Sequence, residues 1–269
     1  MASRRSAAFF PRQAGVTLPF RQSEDAPMES FALPNQKFSH VRCGDCPIRE
    51  RAVCAYCAGD DLATLDAIKA YRDFPAGREI LASGEAAPIV GSIVKGVVKL
   101  TKTLHDGRTQ MVGLLFPGDF VGHAMRPRAE YDAVAATDVT LCLFQRGPFE
   151  QLLRNKPALE KRLLEMTLNE LDAARDWLLL LGRKSAREKL ASFVLMLARR
   201  EAVAGAPEDG PVAVSLPLTR AEIAEYLGMT IETVSRQFTK LRSDGVIAFD
   251  STRALRVPDL DRLIDEAGD

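Results

Sequence analysis

A chain of 269 residues, 46% of them hydrophobic and 27% charged, is too long for one small domain and too apolar to stay disordered, so two globular units are expected. Its 36 Lys and Arg balance its 36 Asp and Glu, so no global field draws it to DNA or to an anionic membrane, and nucleic-acid contact has to come from a local surface. No apolar run is long enough for a membrane span, and five cysteines are not the even set of a small secreted disulfide domain.

Residues 1–38 carry Arg4, Arg5, Arg12 and Arg21 with no acid before Glu24. They superficially resemble a transit peptide and lack the apolar core of a secretion signal. They read as a flexible extension, or as sequence upstream of a true start at Met28, on a protein of the reducing cytoplasm. Residues 39–60 form a cysteine-rich loop holding Cys43, Cys46, Cys54 and Cys57, with Cys142 far away. Thiols clustered in the cytoplasm point to metal rather than to disulfides.

The spacing of Leu62, Leu65 and Ile68 predicts a short amphipathic helix over Asp61–Tyr71. From Phe74 to Pro148 recurrent glycines separate short β-branched runs, among them 92–94, 97–100 and 139–144, in the rhythm of an antiparallel barrel or roll. Asp106-Gly107 is a hairpin turn signal. The roll domain spans 61–155. A helix over 156–183 follows, with apolar residues on more than one face. One face can lie on the roll. On the other, Leu164, Leu168, Leu171, Ala174 and Leu178 recur at three- and four-residue steps, a seam two copies can share as a homodimer. A hinge over 183–189, a helix over 190–200 and a surface loop over 205–210 lead onward.

Residues 184–269 make the last domain. Thr219 and Glu222 form a capping box, Gly228 allows a sharp turn, and Thr230 caps a second helix through Leu241. Ala224, Gly228 and Val234 have the spacing of a helix-turn-helix, and 246–250 with 254–257 can pair as a wing tipped by Ser251, Thr252 and Arg253. Double-stranded DNA is the implied partner. Near the N-terminus of the second helix, Arg236 can give two donors to guanine, Glu232 can accept from cytosine N4 and Ser235 can contact thymine. Thr230, Thr233, Lys240 and Arg253 suit phosphate. Glu232 also reads simply as a carboxylate on the helix dipole.

Thiolates ligate zinc and iron–sulfur clusters alike. Cys43-x2-Cys46 puts two on one tight turn and Cys54 supplies a third. A zinc site would use Cys43, Cys46, Cys54 and Cys57, although the seven-residue gap is short for zinc. The C-x2-C pairs could also act as a thiol redox switch, and Cys142 alone reads as a small buried apolar residue. His40, His105 and His123 show no ligand spacing. No nucleophile with a base and no phosphate loop suggests an enzyme.

Over residues 40–265 the chain resembles the cyclic AMP receptor and fumarate-nitrate regulator superfamily. The carrying segments are Phe116-Pro117-Gly118-Asp119-Phe120-Val121-Gly122, the helix with Leu178–Leu181, and Glu232-Thr233-Val234-Ser235-Arg236. The resemblance implies an α+β fold: an antiparallel β-roll of the cupin-like, cyclic-nucleotide-binding type, a long dimerisation helix and a C-terminal winged helix-turn-helix. Asp119 and the Arg128-Ala129 pair depart from the nucleotide-binding pattern, which argues against cyclic AMP as ligand. The E-x-x-S-R run is similar to that of the oxygen-sensing branch, which implies a TTGAT-type inverted repeat as operator and a 4Fe-4S cluster held by three N-terminal cysteines and one on a roll strand. Cys43, Cys46, Cys54 and Cys142 match those places, though Cys57 is nearer in sequence. That branch acts as a homodimer without oxygen, commonly as an activator touching RNA polymerase. The rival expectation is a constitutive or small-ligand regulator with structural zinc.

Overall fold

The computed structural model describes residues 41–203 and 210–268. The expected 1–38 extension, His40 and most of the 205–210 loop lie outside the described residues. After a 3-10 turn at Cys43–Asp45 and further turns through Cys57, helix α1 covers Gly59–Ile68. It ends earlier than its apolar spacing suggests, because Tyr71 belongs to a strand: β1 (Ala70–Phe74) pairs antiparallel with β8 (Val139–Gln145), Tyr71 opposite Cys142. Tertiary pairing overrides local helix preference there.

Between these strands lie β2 (Glu79–Leu81), β3 (Ile89–Lys95), β4 (Val98–Thr103), β5 (Thr109–Leu115), β6 (Phe120–Val121) and β7 (Asp132–Ala135). They build two antiparallel sheets in the orders β1-β8-β3-β6 and β2-β7-β4-β5. The β4–β5 hairpin turns through Asp106-Gly107, with Gly107 at φ 87° donating to Leu104. Phe74, Ile93, Val98, Leu141 and Leu143 fill the space between the sheets. Because side chains alternate along a strand, Cys142 and Phe144 face the other way, into a second apolar cluster with Ile48, Val53, Leu65, Phe149 and Leu159. β8 is therefore buried on both faces.

Helix α2 (Arg146–Asn155), which the sequence pattern did not announce, leads to α3 (Pro157–Arg183). α3 has two aspects. Leu159, Leu163 and Met166 pack on the cysteine side of the roll, and Trp177 and Leu180 pack on the C-terminal domain. The predicted seam faces out: Leu164, Leu168, Leu171 and Leu178 are 46–70% exposed, and Ala174 is exposed as well. The hinge shrinks to Lys184-Ser185 before α4 (Ala186–Val203).

Next come β9 (Val212–Ser215), α5 (Arg220–Leu227), α6 (Ile231–Ser243), β10 (Ala248–Ser251), β11 (Ala254–Val257) and α7 (Leu260–Ala267). The wing hairpin β10–β11 gains a third strand from β9, and α7 packs on α4, with Leu263 and Ala267 buried. Neither β9 nor α7 was foreseen. Among the described residues no helix is long and apolar enough to cross a membrane.

Candidate metal centre and nucleic-acid interface

The cysteine segment is pressed onto the first sheet by Ile48, Ala52 and Val53, each at most 3% exposed. Its turns are closed by polar staples. Arg49 donates to the carbonyls of Cys54, at 2.5 Å, and Cys57. Asp66 of α1 accepts the Cys43 amide at 2.8 Å, and Lys69 donates to Asp66, to Val41 O at 2.6 Å and to Cys43 Sγ at 3.6 Å. The Lys69 ammonium and the Cys43 amide hold the Asp66 carboxyl down at about 2.

Cys43, Cys46, Cys54 and Cys142 line one cavity, with Ile48, Leu65, Tyr71, Ser92 and Phe144 among its other walls. Cys57, 1% exposed, is not part of that lining. Across the sheet Cys142 stands between Tyr71 on β1 and Ser92 on β3. The strands meet closely enough that a Cβ on Gly91 would come within 2.3 Å of the Cys142 carbonyl oxygen, so glycine alone fits there. The Tyr71 hydroxyl donates to Cys46 Sγ at 3.9 Å. Burial pushes the thiols of Cys54, Cys57 and Cys142 up, and that of Cys43 to about 12 with help from Asp66. A metal held by these thiols would need them as thiolates, so its uptake would release protons.

The residues present fit an iron–sulfur cluster. Four cysteines, all soft sulfur donors, are among the residues lining a single cavity, and a cluster takes one thiolate per iron rather than four on one ion. Among the described residues no three His, Cys, Asp or Glu side chains converge on a single-ion site. His105 sits exposed in the β4–β5 turn and His123 packs its ring against Tyr131 at 5.1 Å.

The segment also touches α3 directly. Arg162 of that helix donates to Arg51 O at 2.6 Å and to Ala52 O at 3.3 Å, and its guanidinium lies 5.6 Å from the Tyr56 ring centre. Lys156, preceding α3, pairs with Asp61 at 2.6 Å. Nothing in the cysteine spacing announces Arg162. Its spacing from Leu159 and Met166 places it on the inward side of the helix.

The second site is the reader. Thr219 Oγ1 accepts the Glu222 amide at 3.2 Å while the Glu222 carboxylate accepts the Thr219 amide at 2.9 Å, the reciprocal box the sequence predicts. Gly228 closes α5 in the left-handed region at φ 61°, and Thr230 Oγ1 accepts the Thr233 amide at 3.2 Å to start α6. Val234, Phe238 and Leu241 bury one side of α6 against Ile223, Ala224 and Leu227. Glu232, Ser235, Arg236 and Lys240 are exposed on the other, Thr233 is half-buried, and Arg253 is exposed at the wing tip. Glu232 is held ionised by its own amide and the Thr230 hydroxyl.

A residue the sequence reading passed over stands beside them. The Arg220 guanidinium lies 3.4 Å from the Phe238 ring centre and 5.1 Å from that of Phe249, with Nη1 lacking a hydrogen-bond partner among the described residues. It opens on a groove shared with Ser235, Thr239, Arg242, Ser251 and Thr252. The roll and α3 grip the same domain: from the roll Lys99 pairs with Glu222 at 2.7 Å and Gln110 donates to Glu225 O at 2.9 Å, and from α3 Trp177 stacks on Tyr226 at 3.9 Å.

Where the sequence departs from the nucleotide-binding pattern, its side chains are engaged in structure. Asp119 accepts the Phe116 amide at 2.8 Å and Arg128 donates to Gly84 O at 2.7 Å.

Comparison with known proteins agrees with this architecture. Residues 71–156 match the cyclic nucleotide-binding domain and residues 188–266 the Crp-like helix-turn-helix domain. The chain is 55% identical over 229 residues to the transcriptional activator protein FnrL of Cereibacter sphaeroides, covering 85% of this chain and 92% of that one. It is 27% identical over 211 residues to the fumarate and nitrate reduction regulatory protein of Salmonella typhi, covering 77% and 83%. The solved structure of FixK2 from Bradyrhizobium japonicum matches with a TM-score of 0.67 at 34% identity, over 74% of this chain and 96% of that one. With a roll, a long helix and a winged reader in the same order as these relatives, the chain belongs to the cyclic AMP receptor and fumarate-nitrate regulator family of transcription regulators.

Proposed function

We propose that this chain is an oxygen-responsive transcriptional activator of the cytoplasm that holds a 4Fe-4S cluster on Cys43, Cys46, Cys54 and Cys142. The observation that carries this reading is the cavity: sulfurs from two distant segments line it and Cys57 does not. A cluster supplies an iron–sulfide core whose integrity depends on oxygen and redox conditions. The protein couples that site to the long helix by contact, through Arg162 on the backbone of Arg51 and Ala52 and through Leu159 and Leu163 in the same apolar cluster. Coupling needs the metal to interact differently with two states, and a loop clamped between the roll and α3 meets that need.

Two copies joined along Leu164, Leu168, Leu171, Ala174 and Leu178 would set two α6 helices into successive major grooves about 34 Å apart, on a TTGAT-type inverted repeat. Arg236, Glu232 and Ser235 read bases there; Thr230, Thr233, Lys240, Arg253 and Arg220 hold phosphates. RNA polymerase is the further partner of an activator, the word that names the 55% identical relative.

Purification without oxygen tests the reading. The expected protein is brown, contains iron and sulfide in equal amounts and bleaches in air. A colourless, zinc-replete protein overturns it.

A further inference from the structure

One wall of the thiol cavity is polar without a purpose in the protein fabric. Ser92 is 2% exposed, and its Oγ has no hydrogen-bond partner among the described residues. A buried hydroxyl in that condition is costly, and native structures rarely keep one. Its neighbours on the same face of β3, Val90 and Val94, are apolar. The pairing register sets Ser92 directly opposite Cys142, so their Cβ atoms stand about 4.5–5.5 Å apart on one face of the sheet. On the other side of Cys142, the Tyr71 hydroxyl already donates to Cys46 Sγ at 3.9 Å.

We infer that the Ser92 hydroxyl donates a hydrogen bond to a sulfur of the cluster, either the Cys142 thiolate or an adjacent sulfide, and thereby sets its redox poise. This assignment rests on the cluster reading above. Sulfur is the acceptor chemistry this cavity offers, and a sulfur bound to iron carries more negative charge than a thiol, so it accepts more strongly. Hydrogen bonds to cluster sulfurs tune reduction potential: a donor favours the form with the extra electron, and its removal disfavours that form.

The test is redox titration of the full chain after anaerobic reconstitution with iron and sulfide, comparing the unaltered protein with Ser92→Ala and Ser92→Thr. Ser92→Ala should keep full iron and sulfide content, while the ratio of reduced to oxidised cluster at a fixed potential falls roughly three- to tenfold, about 28–59 mV for one electron. Ser92→Thr, which keeps a hydroxyl, should stay near the unaltered value. Loss of the cluster in Ser92→Ala alone also supports the assignment, since only the hydroxyl separates the two variants. An unchanged potential in Ser92→Ala overturns it and leaves the cluster reading intact, as does loss of the cluster in both variants. Failure of the unaltered chain to take up iron and sulfide overturns both.

Discussion

The cysteine face of the roll and the winged helix-turn-helix are built on opposite principles. In the reader the contacts that start and turn its two helices join residues a few positions apart: Thr219 with Glu222, Thr230 with Thr233, Gly228 at the turn between them. On the cysteine face the determining contacts cross the chain. Tyr71, Cys142 and Ser92 form a row over three strands, and Arg162 reaches back to Arg51 and Ala52. Local contacts of that kind can be recognised from a short string of letters. The cysteine face, made of long-range contacts, joins the first sheet, the cysteine turns and the start of α3 in one packed cluster.

The largest effect should come from the centre of that row. Cys142→Ser should abolish anaerobic colour and operator binding, whereas Cys57→Ser, altered outside the cavity lining, should keep both; iron and sulfide analysis with a gel-shift assay checks each. A full cluster in Cys142→Ser would move the fourth ligand to Cys57 and make the sensor as local as the reader.

Next in size is the exposed leucine seam of α3. Leu171, 46% exposed on α3, becomes buried if two copies pair there, and Leu171→Asp would then place an unpaired carboxylate in an apolar interface at a cost on the order of several kcal/mol. Sedimentation should show monomers that no longer bind operator. A stable dimer would place the interface elsewhere.

The smallest effects belong to the reader itself. Arg236→Ala should lose about 1–3 kcal/mol of discrimination at the guanine of the half-site, while Lys240→Ala should weaken specific and random duplex alike. Equal losses from both variants on both duplexes would mean that α6 presents a different face to the bases.

The same contrast explains what could be read from the letters. The capping box, the αL glycine and the exposed leucine seam depend on spacing within a few turns, and each stands where the spacing puts it, whereas the wing expected over 246–250 and 254–257 starts two residues later, at Ala248–Ser251, because Val246 and Ile247 are buried in the core. α1 stops short because β8 recruits Tyr71. β9 is a strand because β11 lies beside it. Ser92 and Arg162 carry no motif at all: one matters through a partner fifty residues away in sequence, the other through a backbone it meets only in the fold. Arg220 was hidden for another reason. It follows the capping Thr219 and reads as an ordinary first-turn arginine until Phe238 and Phe249 close around it.

The double burial of β8 gives its sequence a parity. Odd-numbered Val139, Leu141 and Leu143 point into the roll, and even-numbered Cys142 and Phe144 point toward the cysteine turns. Inserting a single residue before Cys142 in this strand would exchange the two sets, sealing the thiol inside the roll and turning Leu143 toward the cysteine turns. Two inserted residues would restore the facing. A change of one residue in the length of this strand would therefore separate Cys142 from Cys43, Cys46 and Cys54 of the cavity they line together.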